Sequence, residues 1–116
     1  MQIIINKIIN TDFAVTTEDG NSIFQLMNSQ FSIGNKVILN FEGITLMTTA
    51  FLNAAIGQLY SNNDYSSDFL NKNLELINVQ DVDKHLFSMV VKRAKEYFAN
   101  KEGFEKNANN AINGND

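Results

Sequence analysis

Three short apolar runs, separated by stretches of helical periodicity, constrain the fold of this chain more than any other feature of its sequence. Residues 2–9 are dense in isoleucine, with Ile3, Ile5 and Ile9 on one parity and Ile4 and Ile8 on the other, which reads as a strand partly covered on both faces. Residues 36–41 alternate more cleanly: Val37, Leu39 and Phe41 share one side, Ile38 and Asn40 the other. Residues 74–79 form the third run, Leu-Glu-Leu-Ile-Asn-Val. With a helix after each run, the order strand–helix–strand–helix–strand–helix favours an α/β layer whose crossovers make neighbouring strands parallel.

The helical stretches carry their own signals. Thr16 or Thr17 can cap the first, with Glu18 and Asp19 suiting the dipole of its opening turn, and Ile23, Phe24, Met27 and Phe31 mark its apolar face. Gly20 falls in that turn, where glycine costs about 1 kcal/mol relative to alanine. It is either a surface glycine or one that permits a close backbone approach. Phe51, Leu52, Ala55, Ile56, Leu59 and Tyr60 form the stripe of a second helix over 48–60. Asn78, three residues before Asp81, resembles a capping signal for a last helix that runs to about residue 99. Asn10-Thr11-Asp12 is a turn signal before a short extended piece, Phe13-Ala14-Val15, and residues 61–68 read as a polar loop. Beyond residue 100 the periodicity ends, so the expectation is one domain over 1–100 and a flexible C-terminal tail over 101–116.

Composition narrows the function more by exclusion than by indication. The 116 residues hold 9 basic and 13 acidic side chains, a formal net charge of −4, which argues against a nucleic-acid binder that must displace counterions from phosphates. No cysteine is present, which excludes disulfides, thiolate metal sites and cysteine nucleophiles, and a single histidine excludes a site of several imidazoles. No apolar run approaches the roughly 20 residues that span a bilayer. The N-terminus also lacks the basic start and cleavage site of a signal peptide. A cytoplasmic domain with no membrane contact is expected. The 18 asparagines read as surface filler, turns and caps.

Catalytic constellations are sparse. The six glycines are scattered, so there is no Gly-rich phosphate loop. His85 reads as an ordinary helical histidine beside Asp81, and Asp64 and Asp68 lack any ligand spacing for a metal. Lys92, Arg93 and Lys95 complement a helix C-terminus. No catalytic residue, cofactor or metal is expected. The informative stretch is 37–60: a buried strand, a tight Glu42-Gly43 turn, then a helix opened by adjacent hydroxyls, Thr48 and Thr49. A threonine there is a cap that satisfies free helix N–H groups, or an acceptor whose phosphate the helix dipole would favour.

This stretch resembles the central segment of STAS domains, the anti-sigma-factor antagonists, and most of all a small bacterial STAS-like family of unknown function. The likeness is carried by Leu39-Asn40-Phe41-Glu42-Gly43-Ile44 and by Met47-Thr48-Thr49-Ala50-Phe51-Leu52. It implies an α/β STAS-like single domain with a small mixed or parallel sheet and helices mainly on one face. It also implies a non-enzymatic regulatory module that docks onto a protein partner, a histidine-kinase-like (GHKL) ATPase. By position Thr49 matches the phosphoacceptor of switching members and Thr48 the acidic residue before it. Asn40 stands where the family carries a strand-end aspartate. The partner-binding residues implied are Asn40, Glu42, Gly43, Thr48 and Thr49, with Thr49 and Thr48 the phosphoacceptor candidates. Two other readings remain open on sequence: a small ligand- or nucleotide-binding domain using the same helix start, and a structural, self-assembling subunit such as a homodimer.

Overall fold

The computed structural model describes residues 1–61 and 64–96 of the chain. In chain order β1 (Gln2–Ile4), α1 (Ile5–Ile9), β2 (Phe13–Ala14) and α2 (Thr17–Ser32) lead to β3 (Val37–Asn40). Then come β4 (Leu46–Met47), α3 (Thr49–Leu52), a π-helical turn (Asn53–Gly57), α4 (Gln58–Ser61), α5 (Ser67–Asn73) and β5 (Leu74–Ile77). A 3₁₀ turn (Asp81–Asp83) opens the last helix, α6, over 84–96.

The main sheet has the order β1-β3-β5 and is parallel throughout, with Ile3, Leu39 and Leu76 in register across it. Each crossover moves one strand in the same direction. Right-handed crossovers therefore lay the connecting helices on one face. On that face Ile3, Ile23, Met27, Leu39, Phe51 and Leu52 are each at most 1% exposed. Below them Phe31 meets Tyr65 and Phe69 edge to face, with ring centroids 5.3 Å apart in both pairs. α6 closes the layer through Phe87, whose ring stands 5.1 Å from that of Phe41, and through Val90 against Gly57. The second sheet is small: β2 pairs parallel with β4, Phe13 opposite Leu46 and Ala14 opposite Met47.

Gly20 lets α2 and the helix after β4 approach closely. A Cβ there would lie 2.5 Å from the Phe51 carbonyl oxygen and 2.7 Å from the Ala54 Cβ, so the close-approach reading holds. The partner helix widens into its π turn beside this crossing. The Gln58 side-chain amide donates to the Ala54 carbonyl (2.7 Å) and to Asn21 Oδ1 (2.8 Å), tying the turn to α2.

Several sequence expectations need correction. The strand expected over 2–9 ends at Ile4, because β1 has partners only as far as Asn40 and the chain then coils into α1. Asn10 ends α1 in the left-handed region, φ 59°, a conformation asparagine tolerates. The strand expected over 74–79 stops at Ile77, since β3, its only partner among the described residues, ends at Asn40. Asn78 does not cap the last helix: it is itself left-handed (φ 60°), and its side chain is bonded elsewhere. The polar loop over 61–68 already contains the start of α5, capped by the Ser66 hydroxyl, which accepts from the Phe69 N–H at 3.0 Å. Among the described residues β1 is an edge strand. The expected tail over 101–116, with Tyr97 and Phe98, lies outside the described residues.

Replacing Gly20 by alanine forces a methyl group against backbone, so unfolding stability should fall by about 1–3 kcal/mol. Urea denaturation measures this, and a change within about 0.5 kcal/mol would contradict the crossing.

Candidate functional site

The carboxyl ends of the three parallel strands lead into one edge of the molecule, and Asn40 organises it. Asn40 is 5% exposed and is the one buried polar residue among those described. Its Oδ1 accepts from the Glu42 backbone N–H and from Asn78 Nδ2, both at 2.9 Å. A buried acceptor left unpaired is costly, so these two bonds fix how the chain leaves β3 and β5. The first folds residues 41–44 into a turn closed by Ile44 N–H to the Phe41 carbonyl at 3.1 Å. Gly43 sits in that turn at φ +82°, and a Cβ on it would lie 2.5 Å from Asn6 Nδ2. The positive φ favours glycine, and a side chain here would also displace the Asn6 amide.

From there the loop is stitched to the N-terminal part of the chain. Asn6 Nδ2 donates to Asp12 Oδ1 (3.1 Å), and the Thr45 N–H donates to the Asp12 carbonyl (2.9 Å). The Thr48 N–H donates to the Ala14 carbonyl at 3.1 Å. The Thr48 hydroxyl donates to the Val15 carbonyl (2.8 Å) and accepts from the Phe51 N–H (3.3 Å). Thr48 is therefore the helix cap, with its hydroxyl engaged in both directions. Thr49, half-buried, is the first helical residue, and its hydroxyl makes no hydrogen bond among the described residues. From the far side Gln80 Nε2 donates to the Ile44 carbonyl at 3.2 Å.

Of the residues singled out in the sequence, Asn40, Glu42, Gly43, Thr48 and Thr49 thus lie on one connected edge. Asn40 is a buried support, Glu42 and Gly43 are exposed, and the two threonines are partly exposed. Four residues of this edge carry no sequence signal that places them on it. Asn6 lies within the run that reads as a strand and Asn78 carries a local capping signal, whereas their partners are Asp12 and, 38 residues away, Asn40. Phe13 and Leu46, register partners across β2 and β4, are 54% and 53% exposed and form an apolar pair beside the helix start. Two-residue strands have no period to detect. Ile8 on α1 is also exposed.

Among the described residues no group of three His, Asp or Glu side chains is placed to hold a metal ion. His85 is exposed on α6. Asp81 accepts from Lys84 Nζ at 2.8 Å, and that bond holds its carboxyl below the usual carboxylate range. Lys95 lies over the Tyr60 ring, 5.4 Å from its centroid. No described helix is long and apolar enough to cross a membrane.

Residues 19–84, more than half of the chain, match the STAS-like domain of unknown function (DUF4325). The chain belongs to this STAS-like family. The match takes in Asn40, Glu42, Gly43, Thr48, Thr49 and Asn78 of the STAS-like domain. Asn6, Asp12 and Phe13, which complete the edge, precede it. No curated protein and no solved structure matches the chain.

The edge should respond to substitution in a graded way. Asn40→Leu strands the Glu42 N–H and the Asn78 amide and should cost about 1–3 kcal/mol. Thr48→Ala should cost about 1 kcal/mol while Thr48→Ser stays near the parent, since only the hydroxyl caps the helix. Equilibrium denaturation reads both, and equal effects of Thr48→Ala and Thr48→Ser would contradict the cap.

Proposed function

We propose that this STAS-like domain is a non-enzymatic protein-binding module, acting in the cytoplasm, whose docking face is the edge formed by Glu42, Gly43, Leu46, Thr49 and Phe13. The observation that carries this reading is the exposed Phe13–Leu46 pair. Two large apolar side chains stand side by side on a rigid, hydrogen-bonded edge, next to the helix start that the STAS resemblance singles out. Contiguous exposed apolar surface of this kind marks interaction sites. Asn40 and Thr48 act beneath the face by holding its shape.

The partner implied by the STAS resemblance is a histidine-kinase-like ATPase. If that partner modifies the domain, Thr49 is the better acceptor, because the Thr48 hydroxyl is already bonded on both sides. A phosphate there adds about −1.5 to −2 charges at a helix N-terminus.

The test is affinity capture from lysate with and without ATP, comparing the parent chain with a Phe13→Ser/Leu46→Ser variant. Recovery of a histidine-kinase-like ATPase by the parent, and its loss in a variant of unchanged fold, supports the reading. Equal recovery by both removes the docking face. Peptide mass spectrometry across Thr48 and Thr49 reads the modification, with phosphate expected on Thr49.

A further inference from the structure

The apolar pair does not stand alone. Asp12, Glu18, Asp19, Glu42, Asp81 and Asp83 lie in the segments that follow the carboxyl ends of the strands or open the helices there. Hydrogen bonds join these segments into one body. The Asp12 carbonyl is bonded by Thr45, the Val15 carbonyl (three residues before Glu18) by Thr48, and the Ile44 carbonyl by Gln80 beside Asp81. The cations on this edge are Lys7 on α1 and Lys84, and the latter is taken up by Asp81. Other described cations lie elsewhere: Lys36 and Lys72 precede the amino ends of β3 and β5, and Lys92, Arg93 and Lys95 lie along the second half of α6. The exposed Phe13 and Leu46 thus lie at the same end of the sheet as these carboxylates, which outnumber the cations there even with Asp81 paired to Lys84.

Resting on the docking reading above, we infer that the segment this face receives is basic and amphipathic: a stretch of protein with apolar side chains for Phe13 and Leu46 and lysine or arginine around them. Apolar contact supplies affinity, and complementary charge supplies orientation and association rate. The same carboxylates turn away anionic lipid surfaces and nucleic acid, whose phosphates a face of this sign repels. Exposed charges are screened beyond about 10 Å at 0.1 M salt, so this recognition is salt-sensitive.

The test needs only the full chain and two defined probes: a Leu/Lys amphipathic helical peptide and a Leu/Glu peptide of the same pattern. Each is titrated against isotope-labelled protein and followed by amide chemical shifts. The Leu/Lys peptide should shift residues 12–14 and 42–49, and its affinity should fall about tenfold or more between about 50 and 500 mM salt. Glu42→Lys with Asp83→Lys should weaken it about tenfold, and Phe13→Ser should abolish the localised shifts. Equal binding of the Leu/Glu peptide, shifts centred on another face, or no binding of either peptide overturns the inference. If that happens while ATPase capture still depends on Phe13 and Leu46, the docking reading stands and only the proposed partner chemistry fails.

Discussion

The double acceptance at Asn40 Oδ1 is the interaction on which the rest of the arrangement depends. One buried amide oxygen bonds the backbone of the turn after β3 and the side chain of the residue after β5. Parallel strands end independently of one another, and nothing in a sheet ladder says where the chain goes next. Here a single acceptor couples the central strand to its neighbour's exit. The penalty of about 1–3 kcal/mol for leaving it unpaired favours that geometry. Gly43 follows from it, because the turn that Asn40 sets needs a positive φ and brings the backbone against Asn6.

Through Asn6, Asp12 and Thr45 the same edge takes hold of the chain before α2, and through Thr48 it takes hold of Val15. The result is a rigid rim of short loops on a helix-backed sheet. Backbone held in this way has little freedom left to lose on binding, which lowers the entropic cost of recognition. The hydrophobic face below is complete without Phe13 and Leu46. Their outward direction follows from the alternation along β2 and β4, which buries Ala14 and Met47, the next pair in the same ladder; their apolar character is what the fold does not require.

The elements with a period were legible in the sequence. Val37, Leu39 and Phe41 marked β3, and the apolar stripes of Ile23–Met27 and Phe51–Leu59 marked the helices that cover it. Thr48 was legible as a cap because capping is local. What was not legible was non-local or too short. β4 has two residues and no signal of its own, so its pairing with the extended piece at Phe13-Ala14 could not be read, and α5 ends in Asn71-Lys72-Asn73, whose two asparagines are poor helix formers, although Ser66 followed by Asp68 is a usable start signal. Asn78 looked like a local cap, yet its work is a bond to Asn40, 38 residues away in the chain. The site followed the same rule. Asn40, Glu42, Gly43, Thr48 and Thr49 were read from one contiguous stretch, while Phe13 joins them only through the register of β2 with β4.

The most direct test of the central claim, that this carboxyl edge is the docking face, is site-specific photo-crosslinking in the cell of origin. A photoreactive residue placed at Leu46 is compared with one at Ile33, which is 70% exposed and lies at the opposite end of α2. A discrete crosslinked protein at Leu46 and none at Ile33 is the predicted result. Crosslinking at Ile33 with none at Leu46 would contradict it, and would place recognition on the amino side of the sheet.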